Sequence, residues 1–110
     1  MEKLSAMQLS TDQVLIDELA RSNGLTQLPD WTVSDSQVPQ LVRQFKFTSY
    51  AKAVVFVNSL AVLAETNDHH PAMLIEWGKV TVSWWTHSLG GLHINDFILA
   101  AQTDRIYGEV

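Results

Sequence analysis

Cysteine is absent from this chain of 110 residues. Disulfides, thiolate nucleophiles and cysteine-ligated zinc are therefore excluded. Basic residues are scarce: seven Lys and Arg stand against twelve Asp and Glu, a formal charge of −5. Phosphate backbones demand a cationic surplus, so nucleic acid is not expected as a direct partner. No apolar stretch is long enough to span a bilayer; the best, Ala53 to Ala64, is interrupted by Asn58-Ser59. The opening M-E-K-L-S-A-M-Q-L-S lacks the continuous apolar segment of a signal peptide. A soluble cytoplasmic protein with no membrane partner is expected. Neither H-E-x-x-H nor G-x-S-x-G occurs, which removes the helical zinc motif and the nucleophile elbow. Internal repeats, low-complexity tracts and linkers are missing too.

What remains describes a folded chain. Hydrophobic residues make up 46% and charged ones 17%, the balance of a globular protein. The length suits one domain over residues 1–110, with a thin core between two layers. Four tryptophans are many for this size and mark core or binding surface.

Periodicity supplies the elements. Leu15, Ile16, Leu19 and Ala20 fall on one helical face, predicting a helix from about Thr11 to Ser22. Ser10-x-x-Gln13 is its candidate capping box and Gly24 its candidate C′ residue. Two strands, Trp31 to Val33 and Gln40 to Phe47, follow around the polar turn S-D-S-Q-V-P. A long helix spans about Ser49 to Thr66, with Tyr50, Ala53, Val54, Val57, Leu60, Ala61 and Ala64 on one side. Val55, Phe56, Val62 and Leu63 widen that stripe, which suggests a second contact surface and self-association. Met73 to Trp77 and Val80 to Trp85 read as a hairpin with Gly78-Lys79 in a type II′ turn. Gly90-Gly91 precedes a last helix, Ile94 to Tyr107. The order predicts an α+β two-layer sandwich: a four-stranded antiparallel sheet with three helices on one face.

Function is most legible in the histidines. His69 and His70 precede the hairpin's first strand and His87 follows its second. Closing the hairpin brings the three imidazoles together, with Asp68 and Thr86 beside them. Adjacent His69 and His70 point in different directions if extended, so at most one of them faces His87 squarely. Such a cluster suits general acid–base catalysis, because imidazole titrates near neutrality. The competing reading is that these are ordinary polar residues at strand ends. Adjacent histidines are a poor bite for one ion, so no metal site is expected. His93, near the start of the last helix, reads as structural. Trp84 and Trp85 send one ring to each face. Glu65 reads as a solvated carboxylate and Asp96 as a first-turn acid favoured at a helix N-terminus.

A-E-T-N-D-H-H-P, then Trp77, then T-H-S-L-G-G-L and Asp96 together resemble the signature of the pterin-4a-carbinolamine dehydratases. L-P-D-W around Trp31 and R-Q-F-K-F-T-S-Y-A-K-A ahead of the long helix extend the likeness, so it runs from about residue 25 to 104. L-I-E-W-G-K-V-T-V-S-W-W-T-H-S looks particularly like the bacterial members associated with phenylalanine hydroxylase. The resemblance implies dehydration of a 4a-hydroxytetrahydropterin to the quinonoid dihydropterin, with neither metal nor organic cofactor. It implies recycling of tetrahydrobiopterin for an aromatic amino acid hydroxylase, a possible phenylalanine hydroxylase partner, and a homodimer or homotetramer built through sheet edges and helices. His69, His70 and His87 match the family's catalytic histidines. Asp68, Trp85, Thr86 and Ser88 match its substrate-contact segments, with Glu65 and Asp96 completing the site. Trp31 matches a tryptophan that would offer its flat face to the pterin.

Three departures stand out. Trp85 replaces a residue that is commonly small and polar, which implies a more walled pocket. Ser88 stands where an acid often follows the Thr-His pair. His93 replaces a Thr or Ser cap and is expected to cap less well, which weakens Asp96 as its N3 partner. A rival of another class is a non-catalytic regulatory or dimerisation partner using the same fold, for which the wide stripe on the 49–66 helix would serve.

Overall fold

The computed structural model of the chain describes residues 2–110. Its elements are α1 (Glu18–Leu25), β1 (Thr32–Val33), β2 (Leu41–Lys46), α2 (Tyr50–Asn67), β3 (Ala72–Glu76), β4 (Lys79–Trp84) and α3 (Ile94–Gly108). Short 3-10 turns occupy Leu4–Ala6 and His87–Leu89. The strands form one four-stranded sheet in the order β1-β2-β4-β3, every pairing antiparallel. Helices α2 and α3 cover one face, and α1 packs on α3. This is the α+β sandwich that the pattern predicts.

Alternation decides which side of the sheet is dry. Leu41 and Phe45 on β2 pair with Trp84 and Val80 on β4, and all four are fully buried. Against them α2 buries Ala53, Phe56, Leu60 and Ala64, and α3 buries Phe97 to Ala101. The α2 stripe is thus rotated from the expected one. Phe56 is central, its ring 4.9 Å from Phe45 and 5.2 Å from Phe47, while Tyr50 is 48% exposed. Val55 and Val62 do remain outside the core, exposed at 55% and 68%.

The first helix begins later than its periodicity suggests. Asp17 is the N-cap, its Oδ1 accepting from the Ala20 N–H at 2.8 Å. Residues 10–16 run as an irregular strap because tertiary partners claim them. The Ser10 N–H is donated to Asn95 Oδ1 at 2.7 Å, and that of Ile16 to the Leu92 carbonyl at 2.9 Å. Gly24 is not a C′ residue; it lies inside α1, where a Cβ would come within 2.7 Å of Phe97 Cδ2. The close seating of α1 on α3 is what requires glycine there.

The hairpin turn is displaced by one residue. Glu76 pairs with Lys79, so the turn residues are Trp77 and Gly78, with Gly78 second and at φ +80°. Left-handed backbone at the second turn position alone belongs to type II rather than type II′. Glycine is still needed. The shift changes what faces what: carried past the last pair, Ala72↔Ser83, the register sets His70 abreast of Trp85 and His69 abreast of Thr86. Among the described residues, no helix is long and apolar enough to cross a membrane.

Candidate active site

The C-terminus of α2 makes the first wall. Asp68 caps that helix in the left-handed region, φ 47° and ψ 43°, a conformation that aspartate tolerates better than most residues. The His69 N–H then closes on the Ala64 carbonyl at 3.1 Å. Beyond this reversal the two histidines take different carboxylates. His69 turns inward, its Nε2 donating to Asp96 Oδ1 at 2.7 Å and its ring 5.8 Å from that of Trp84. His70 stays half-exposed and pairs through Nε2 with Glu65 Oε1, back on α2.

The end of β4 makes the second wall. Trp84 points into the core, donating from Nε1 to Thr103 Oγ1 at 3.1 Å. Trp85 goes to the other side, where its ring lies 4.4 Å from that of His87. The Thr86 N–H donates to the Gly91 carbonyl at 2.8 Å, closing a small loop around His87–Leu89. Gly90 completes it at φ +64°. His87 is exposed at its tip, the one member of the trio with no carboxylate partner among the described residues.

Asp96 joins the walls. Its Oδ2 accepts from Thr86 Oγ1 at 2.8 Å and from the His93 N–H at 2.9 Å, while Oδ1 holds His69. The carboxylate is fully buried. The expected weak cap is therefore corrected: His93 Nδ1 accepts from the Asn95 N–H at 3.0 Å, and Asp96 completes a capping box. Imidazole succeeds because its other nitrogen is anchored, Nε2 donating to Asp12 Oδ1 at 2.8 Å.

Between the walls lies a cavity of about 290 Å³ lined by Asp68, His69, His70, Trp85, Thr86, His87 and Ser88. That is the lower end of ligand-site volumes, roughly 300–1,000 Å³, and suits a small heterocycle. Seven of the ten predicted site residues line it. Glu65 does not, but holds His70. Asp96 does not either, and can act only through His69 and Thr86. Trp31 is placed elsewhere, a correction. It is 4% exposed, edge-on to Phe45 at 5.8 Å, and donates from Nε1 to Asp104 Oδ1 at 2.8 Å. Partial burial raises the Asp104 carboxyl above its ordinary range, and the Trp31 and Arg43 hydrogen bonds reduce that effect.

Sequence reasoning missed the strap. Asp12, Gln13, His93 and Asn95 bound a second cavity next to the first. Hydrogen bonds from the Ser10 hydroxyl, the Val14 N–H and the His93 imidazole hold the Asp12 carboxyl below its usual range. The available signal was Asp17-Glu18, a cap and first-turn acid that could have started α1 later and freed the preceding residues.

Fold and site together define a small α+β domain with imidazoles gathered in a cleft. The family model for pterin 4 alpha carbinolamine dehydratase matches residues 14–106. A protein of Microcystis aeruginosa provisionally named pterin-4-alpha-carbinolamine dehydratase is 43% identical over 107 residues, spanning 96% of this chain and 90% of its own. One from Chlorobaculum tepidum, with the same provisional name, is 52% identical over 91 residues, 82% of this chain and 80% of its own. Among solved structures, a transcriptional coactivator/pterin dehydratase from Brucella melitensis superposes with a TM-score of 0.80 at 29% identity. It is matched over 100% of its length and 86% of this chain. A pterin dehydratase-like protein identified as a RuBisCO assembly factor in the alpha-carboxysome superposes at 0.62 with 26% identity, over 72% of this chain and 90% of its own. The chain belongs to the pterin-4a-carbinolamine dehydratase family.

Proposed function

We propose that the protein dehydrates 4a-hydroxytetrahydropterins, recycling the pterin of an aromatic amino acid hydroxylase. The observation that carries this reading is the cavity of about 290 Å³ that three imidazoles share. In the reaction the 4a-hydroxyl takes up a proton and the C4a–O bond breaks, releasing water. The N5 lone pair forms the C4a=N5 double bond as the N5 proton leaves. One group must give a proton and another take one, and paired imidazoles can do both. His70 and His87 carry these transfers, since both are open to the cavity. His69, gripped by buried Asp96, orients the hydroxyl or the ring. Trp85 supplies a flat wall beside His87. No metal or organic cofactor takes part.

Purified protein should accelerate loss of the carbinolamine absorbance well beyond the spontaneous rate, saturably. A rate equal to the buffer control would overturn the reading.

The rival, a non-catalytic partner protein, draws support from the assembly factor of similar fold and from the exposed Val55 and Val62 on α2. It predicts hydroxylase or other partner binding without turnover. Those valines and the unpaired edge of β3 also support a homodimer or homotetramer, for which the solution mass is the test.

A further inference from the structure

We propose that the strap across residues 10–16 builds a second lobe of the cleft that reads the C6 substituent of the pterin and rejects anionic ones. The inference rests on the dehydratase reading. A cavity of about 190 Å³ adjoins the histidine cavity and shares Asp68, His69, Thr86 and Ser88 with it. Its far side is the strap, through Asp12 and Gln13, and the first turn of α3. C6 of a pterin is bonded directly to N5. A substituent there must leave the ring beside the reacting nitrogen, and hence beside the histidines.

The lining decides what fits. Its ionisable side chains are two carboxylates, Asp12 and Asp68, and two imidazoles, His69 and His93; no Lys or Arg faces it among the described residues. The amides of His93 and Asn95 at the start of α3 offer no compensation, because both are taken. The His93 N–H donates to Asp96 Oδ2 and the Asn95 N–H to His93 Nδ1. His93 is pinned at both nitrogens and Asn95 at both amide atoms, the latter on the Ser10 backbone. The side chains without a hydrogen bond among the described residues are Gln13, Ser88 and Asp68. An amide, a hydroxyl and a carboxylate suit a neutral, hydroxyl-bearing chain, which supplies donors to all three. A phosphate or carboxylate there meets acceptors of its own charge.

The test compares kcat/KM for two 4a-hydroxytetrahydropterins, one with a dihydroxypropyl chain at C6 and one with that chain phosphorylated. The wild type should favour the neutral substrate by about tenfold or more, and Gln13→Lys should narrow that ratio by about fivefold. Gln13→Glu should widen it, and roughly half-molar salt should shrink all of these differences. Gln13 is exposed and forms no hydrogen bond among the described residues, so both variants should fold. One ratio shared by wild type, Gln13→Lys and Gln13→Glu overturns the inference and leaves the dehydratase reading standing. No turnover of either substrate overturns the dehydratase reading itself, and the inference with it.

Discussion

Asp96 and His69 meet at 2.7 Å, Oδ1 to Nε2, with the carboxylate wholly buried and the imidazole 15% exposed. A carboxylate that accepts at Oδ1 fixes the His69 proton on Nε2 and leaves Nδ1 as the nitrogen without a partner among the described residues. The same carboxylate fixes Thr86, so one group sets the spacing of both cavity walls.

Asp96→Asn tests that role. An amide keeps the shape but turns one acceptor into a donor, leaving a buried group facing its like. Unfolding free energy should fall by about 1–3 kcal/mol and kcat by more than KM rises. Chemical denaturation and steady-state kinetics read the two effects. Unchanged kcat would show that the pair is only structural.

His87→Ala separates chemistry from folding. The side chain is exposed, so stability should move by less than about 0.5 kcal/mol. The dehydration rate should drop by about 10²–10⁴. Retention of full activity would remove His87 from the mechanism and leave His70 to be tested next, together with Glu65→Gln.

Gly24→Ala probes packing outside the residues that line the cleft. Phe97 is fully buried and cannot swing away from a methyl group placed 2.7 Å from its Cδ2. The helix-propensity gain is about 1 kcal/mol, yet overpacking of about 1–3 kcal/mol should exceed it. The melting temperature should fall, while kcat per folded molecule stays level.

The strap should respond to acid. The folded-state carboxyl of Asp12 lies below the ordinary value of 3.8, chiefly through the Ser10 hydroxyl. A depressed carboxyl contributes stability that is whole above the unfolded value and is lost as pH falls through the folded one. Amide-exchange protection at residues 10–16, taken relative to the intrinsic rate at each pH, should therefore fall on going from about pH 5 to about pH 2. Asp12→Asn should be loose at every pH and lack that slope. The same slope in both proteins would assign it to another group.

Much of the fold could be read because alternation is clear in β2 and β4, and because α2 and α3 are long, largely apolar segments. Their outlines needed no tertiary information beyond a dry and a wet side. Convergence of His69, His70 and His87 follows from closing one hairpin, and either placement of its turn achieves it. Three misread features share one cause: long-range partners overruled local signals. The strap carries a helical pattern, yet Leu92 and Asn95 hold it extended. Trp31 carries a family motif, yet its indole is anchored by Asp104 and Phe45. His93 looked a poor cap until Asp12, 81 residues earlier, anchored its far nitrogen.

Three residues within one helical turn, His93, Asn95 and Asp96, tether the strap, the tail of β4 and the tail of α2 at once. Fraying of that single helical turn would release all three together, so the cleft is cooperative with α3. Evolution can vary the strap's outward side chains freely and so retune what enters. It cannot shift this turn without dismantling the whole chamber.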